Sequence, residues 1–239
     1  MREPGRERVG IVLSAAPYAE ADRIVRVLIA EEGQVGAFQR GGQKRPAGLD
    51  LGVRAGLQLR ARPGGLDTLI GAAVEDARVH LRRSYGRLVM AQYACELAGA
   101  FSREGHAEPK LFGLLETVLL LLDAMEGEPG PALLAALELK MLTFAGLGPA
   151  LDRCAVCGDE PEAMMHFDPI GGGARHDRCG GGAPIARETL AILEDLRRRP
   201  MREAVDREIP AEVEPFAAEV LRAQLGREPG ARALLAGLW

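Results

Sequence analysis

The sequence predicts an α+β, multidomain chain: an N-terminal five-stranded β-barrel of the OB type, then an α-helical domain with an inserted zinc-binding segment. Three observations predict it. Residues 8–76 carry short apolar runs broken by glycine and proline. From Val79 the apolar spacing changes to a helical repeat. Between Pro149 and Pro184, three of the four cysteines crowd together with a histidine. The expected limits are 1–80 for the barrel, 81–239 for the helical domain and 150–184 for the insertion.

In the barrel, Val9, Ile11 and Leu13 alternate with Gly10, Val12 and Ser14. Arg23 to Ala30 is apolar and β-branched, Glu31-Glu32-Gly33 reads as a turn, and Gln34 to Arg40 resumes an extended pattern. The clearest alternation sets Leu51, Val53, Ala55, Leu57 and Leu59 against Arg54, Gln58, Arg60 and Arg62. Pro63-Gly64-Gly65 turns the chain into a fifth strand from Leu66 to Val74. Five short strands in this space suit a closed barrel, which removes the exposed edges of an open sheet.

The helices follow. Leu88, Ala91, Cys95 and Ala98 lie on one stripe ending near Gly105, with Cys95 as a small core residue. Pro109 opens a second helix, where its missing N–H costs nothing. Its stripe of Phe112, Leu115, Leu119 and Leu122 is widened by Leu114, Val118, Leu121 and Met125. Pro131 restarts the pattern with Leu134, Leu137, Met141 and Phe144, and Gly146-Leu147-Gly148-Pro149 ends it. Later helices are marked by Leu190, Leu193 and Leu196, by Val213, Phe216, Val220 and Leu221, and by Leu234, Leu235 and Leu238.

Cys154 and Cys157 form one C-x2-C knuckle, and His176 with Cys179 forms an H-x2-C knuckle beyond a polar loop. Each short spacer lets a tight turn aim two ligands at one point, which is what a tetrahedral zinc site needs. Gly158 and Gly180 follow the knuckles, where backbone must curl around a metal. His166 is the alternative fourth ligand. Four protein ligands leave no open position, so the expected Zn2+ is structural.

Net charge is −4, but its distribution is uneven. Residues 1–83 hold 14 Lys+Arg against 10 Asp+Glu, and the rest hold 16 against 24. A basic front on an acidic body suggests a polyanion partner for the front. The DNA-binding candidates are Arg23, Arg26, Arg40, Lys44, Arg45, Arg54 and Arg60, led by the three in the Gly/Pro-rich loop, read as free to follow a phosphate backbone. With only Tyr18 and Phe38 as aromatics before residue 80, phosphate contact is expected to outweigh base stacking, and duplex to bind as well as single strand.

Several classes are excluded. There is no G-x-x-x-x-G-K-[ST], G-x-S-x-G or H-E-x-x-H, and the deaminase pairing of H-x-E with P-C-x-x-C is missing. No catalytic residue is expected. Met1 to Arg8 is charged, Val9 to Leu13 is too short for a leader core, and Leu111 to Met125 is too short to span a bilayer. A cytoplasmic location without membrane contact is the expectation.

The order of segments resembles the RecO family of bacterial recombination mediators. The carrying residues are Gly10-Ile-Val-Leu13 with Tyr18 to Val25, Arg40-Gly-Gly-Gln-Lys-Arg45, Leu111 to Leu115, Glu138 to Leu142, Gly146 to Asp152 and Cys154 to Gly158. The resemblance implies a non-enzymatic, nucleoid-associated repair protein that binds single- and double-stranded DNA and anneals strands. It implies help in loading the recombinase RecA onto DNA coated by single-strand-binding protein, with RecR as a partner. It also implies docking of that binding protein's acidic C-terminal tail on the helical domain, where Lys110, Lys140, Arg222 and Arg227 offer rim cations. At His176 the chain departs from zinc-bearing relatives, which typically have a cysteine there. The runner-up reading is a zinc-braced adaptor or transcription-associated protein whose barrel binds protein.

Overall fold

The computed structural model describes residues 5–235 and 237–238, so Met1 to Pro4 of the charged start lie outside the described residues. The chain gathers into two compact units, Met1–Glu126 and Gly127–Trp239.

In the first unit, β1 (Arg6–Tyr18), β2 (Asp22–Ile29), β3 (Gly33–Gln39), β4 (Arg54–Arg60) and β5 (Asp67–Asp76) close into a barrel in the order β1-β2-β3-β5-β4. Neighbours are antiparallel except β3 and β5, which meet in parallel at Ala37–Asp67 and Phe38–Thr68. Val12, Val25, Val27, Val35, Ala55, Leu57 and Leu59 fill the interior. The alternation at 53–59 therefore holds, with Gln58 turned to solvent. Strict alternation fails in β1: Gly10 to Leu13 are all buried, and the register shifts between Val12 and Ser14. The cause is a second covering. α1 (Tyr85–Phe101) packs on β1, and the Cys95 Sγ lies 3.8 Å from the Val12 carbonyl. Burial pushes the Cys95 thiol up to about 12, so it behaves as the expected inert core residue.

Ser84 caps α1 by accepting from the Arg87 N–H, and α2 (Pro109–Ala124) starts on its proline. Before α1, Arg78 sits in left-handed backbone with its side chain fully buried. It donates to the Gly52 carbonyl at 2.6 Å and pairs with Glu116 of α2 at 2.8 Å, tying a loop, a turn and a helix together.

In the second unit, α3 (Pro131–Phe144) is buried on nearly every face and packs against α4 (Arg187–Arg198) and α5 (Val213–Leu225). It ends in paired bonds from Gly146 N–H to the Thr143 carbonyl and from Leu147 N–H to the Leu142 carbonyl. This is the glycine-terminated stop read from the sequence. Glu138, wholly buried in α3, pairs at 2.8 Å with Arg232 of α6 (Arg232–Leu235). Leu238, expected in that last helix, lies beyond it. Lys140 is not a rim cation: it is buried and donates to the Arg197 carbonyl at 2.6 Å. Burial first, and then Arg197, lower its pKa.

The polar loop expected between the knuckles instead carries two strands of a three-stranded antiparallel sheet in the order β7-β6-β8, whose third strand follows the second knuckle. The sheet comprises β6 (Met164–Asp168), β7 (Gly173–Arg175) and β8 (Ala183–Ala186), which leads directly into α4. Met165, Phe167, Ala174 and Ile185 are its buried side chains. Among the described residues, no helix is long and apolar enough to cross a membrane.

Candidate functional site

The four knuckle residues converge. The ligand atoms of Cys154, Cys157, His176 and Cys179 all lie within 4.8 Å of one another. Each knuckle is a tight turn: Gly158 N–H donates to the Cys154 carbonyl at 3.0 Å, and Cys179 N–H to the His176 carbonyl at 2.9 Å. Gly158 (φ 80°) and Gly180 (φ 133°) leave the turns in backbone that favours glycine. The small sheet sets the spacing, since β7 ends at Arg175, next to His176.

The histidine is already oriented. Its Nε2 lies 3.0 Å from the Glu160 carbonyl, which can only accept, so Nε2 carries the proton. That leaves the Nδ1 lone pair, 3.3 Å from the Cys157 Sγ, directed into the cluster. A second-sphere bond of this kind is what fixes a ligating imidazole. His176 and Cys154 are each 1% exposed, whereas Cys157 is exposed. Burial raises the Cys154 thiol, but backbone donors at Cys157, His176 and Val156 outweigh it and bring it down to about 6. The residues fit a metal ion, and three sulfurs with one imidazole are a soft donor set. His166 stands outside the group, with its Nε2 3.3 Å from Asp177.

The basic candidates divide. Arg54 is held by Glu75 at 2.9 Å and Glu116 at 3.4 Å, and Arg23 by Asp50 at 3.4 Å. Arg26, Arg40, Lys44 and Arg45 are exposed, and neither they nor half-buried Arg60 join an ion pair among the described residues. The loop bearing Arg40, Lys44 and Arg45 is not free, contrary to expectation. Gly41 N–H donates to Asp22 Oδ1 at 2.7 Å, Gln43 N–H to the Ala21 carbonyl at 2.9 Å, and Gln43 Nε2 to the Ala19 carbonyl at 2.8 Å. These bonds fasten it to the β1–β2 turn.

Comparison with known proteins divides the chain near residue 80, earlier than the boundary of the compact units at Glu126. The family model for the recombination protein O N terminal matches residues 5–78, and that for the C terminal matches residues 82–233. The chain belongs to the RecO family. A relative named DNA repair protein RecO from Anaeromyxobacter dehalogenans (strain 2CP-C) is 38% identical, over 95% of this chain and 94% of its own length. The Myxococcus xanthus protein of that name is 34% identical over 93% and 91%. That of Dehalococcoides mccartyi is 30% identical over 92% and 91%.

Within the family match, Arg26, Arg40, Lys44 and Arg45 fall under the N-terminal model and the Cys3His group under the C-terminal one. Residue-by-residue reading missed the residues that hold these groups in place. Gln43 and the Glu160 carbonyl act through backbone geometry and leave no mark in spacing or charge. Arg178 was also missed. It lies beside Cys157 and Cys179, pairs with Glu162 at 2.6 Å and Asp159 at 3.3 Å, and shares the knuckle's own sequence.

Proposed function

We propose that the chain is a DNA repair and recombination mediator that works by binding rather than catalysis. It holds single- and double-stranded DNA, anneals strands and helps place RecA on DNA coated by single-strand-binding protein, with RecR as a partner at the nucleoid. The observation that carries this reading is the group of exposed cations on β2 and the 40–45 loop that have no acid partner among the described residues. Arg26, Arg40, Lys44 and Arg45 rank first as phosphate contacts, then Arg60 and Arg23. Arg54 ranks last because two carboxylates already hold it.

Titrating DNA at several salt concentrations tests the reading. Affinity should fall with salt at a log–log slope of roughly 0.7–0.9 per phosphate neutralised. An adaptor whose barrel binds protein would show no such affinity. The Cys3His group is assigned structural Zn2+, with a formal site charge of about −1, because four protein ligands close the tetrahedron. Metal analysis of the purified chain checks this assignment.

For the acidic tail of single-strand-binding protein, the second unit offers a cleft of about 350 Å³ with Leu151, Pro161, Leu190 and Ala191 in its walls; the acids that also line it, Asp152, Glu194 and Asp195, are each paired with an arginine. Arg187 at its edge is exposed and joins no ion pair among the described residues. Apolar walls, neutralised acids and an unpaired rim cation suit an acidic peptide ending in an apolar residue. Arg187→Glu should weaken tail-peptide binding to the full chain.

A further inference from the structure

Tyr18 and Phe38 are separated by twenty positions in the chain but meet on one face of the barrel. Their ring centroids are 5.5 Å apart at 80°, and Tyr18 is 51% exposed. Strand register makes the meeting possible. Ile24 of β2 pairs with Ala16 of β1 on one side and Phe38 of β3 on the other. Two positions along β2, Arg26 faces solvent between Ser14 and Gly36. Past the end of β3, the fastened loop carries Arg40, Lys44 and Arg45. Acids nearby include Glu20, Asp22, Asp50 and Asp67, the last of which pairs with Arg6. Asp22 accepts from Gly41 N–H, and Asp50 pairs with Arg23.

The Tyr18 ring leaves half of its surface open to a ligand. Here it is supported by a second ring and bordered by unpaired cations on a rigid loop. A ligand that matches is flat and apolar at one point and polyanionic along its length. We infer that this face seats one unpaired base of a single DNA strand on Tyr18, with Phe38 bracing the ring and the loop cations holding the flanking phosphates. The inference rests on the DNA-binding reading above and adds the class of strand that it favours. A duplex buries its base faces, so only a single strand gains from the ring. This revises the expectation of equal binding to both forms.

The test measures fluorescence anisotropy of the full chain with labelled oligothymidine, with an abasic strand of equal length and with duplex. Tyr18→Ala and Tyr18→Leu should lose about 5- to 150-fold on oligothymidine, the range alanine substitution gives for a stacked base. They should lose nothing on the abasic strand or the duplex, and Tyr18→Phe should bind as the parent does. Equal loss on all three ligands would mean that Tyr18 only supports the fold, and the inference fails. Salt-sensitive binding that is unchanged in every Tyr18 variant overturns the base seat while leaving the DNA-binding reading intact. Absence of salt-sensitive binding in the parent chain removes both.

Discussion

Arginine is used in opposite ways at two places, one in each compact unit. On β2 and the 40–45 loop of the first, Arg26, Arg40 and Arg45 stand exposed without an acid among the described residues. At the end of α4 in the second, the arginines are neutralised one after another. Arg197 pairs with Glu194 at 2.5 Å, and Arg198 with Asp152 at 3.0 Å. Arg199 pairs with Asp195 at 2.5 Å and Glu203 at 3.2 Å, and Arg207 shares Asp195 at 2.5 Å. The pairs of Arg198 and Arg199 are exposed and add little stability, but they cancel the field that would draw a polyanion. A count of basic residues therefore does not locate a phosphate surface; the partners of those residues do.

The largest effect expected from any single change tests whether the units act separately. Structural zinc contributes on the order of 10 kcal/mol to the folding of finger peptides. Cys154→Ser should release the metal and speed amide exchange across 150–186, while salt-dependent DNA affinity stays at the parent value. Zinc content, exchange mass spectrometry and DNA titration read the three quantities. A loss of DNA affinity along with the metal would make the second unit part of the phosphate surface.

Next in size is the contrast between a buried and an exposed arginine within the first unit. Arg78→Ala leaves Glu116 without its buried partner and should cost about 3–5 kcal/mol in urea denaturation. Arg40→Ala should change stability by less than about 0.5 kcal/mol yet weaken DNA binding. Smaller again is a change of slope. Replacing Arg40, Lys44 and Arg45 together by Gln should reduce the log–log salt slope by roughly 2–3, at 0.7–0.9 per contact. Arg198→Gln with Arg199→Gln should leave it unchanged, and a drop in that second slope would erase the distinction between the two surfaces.

The smallest effect is acid sensitivity in the barrel. Burial pushes the Glu32 carboxyl up, but bonds from Arg6 and Arg8 outweigh it and hold it below its ordinary value. A group with a depressed folded pKa lends stability that is present above its unfolded value, about 4.3, and lost as pH falls through the folded one. Glu32→Gln should therefore flatten the stability curve below about pH 4 and leave its shape at neutral pH unchanged, as read from urea midpoints across pH.

What the sequence made legible was local. The knuckle spacing brought four ligands together because each pair is closed by a single turn, and Pro109 and Pro131 marked helix starts because a helix's first N–H groups are unpaired anyway. The 53–59 alternation survived because only one face of β4 is filled by the core. Elements that depend on distant partners were not legible. The double burial of β1 needs α1, and the strands β6 to β8 are too short and glycine-flanked to show a period. Arg54 read as a phosphate contact until Glu116 of α2 came beside it, and nothing in the sequence singled out Arg78. Gln43 looked like one more loop polar residue, although it decides whether the loop cations are loose or set.

The barrel's closure has a mechanical consequence. Four of its five junctions run through six or seven paired positions, whereas β3 and β5 share two. The ring thus has a clasp, and it is the place where least has to break for the cylinder to uncurl. Amides on either side of it should exchange through partial openings far below the free energy of global unfolding. Arg6 latches the same spot from β1, reaching Asp67 at the start of β5 at 2.6 Å and Glu32 at 2.9 Å. Because the latch is ionic and half exposed, salt loosens it. Phe38 lies in the clasp itself, so the ring that braces Tyr18 stands on the least firmly joined seam of the cylinder.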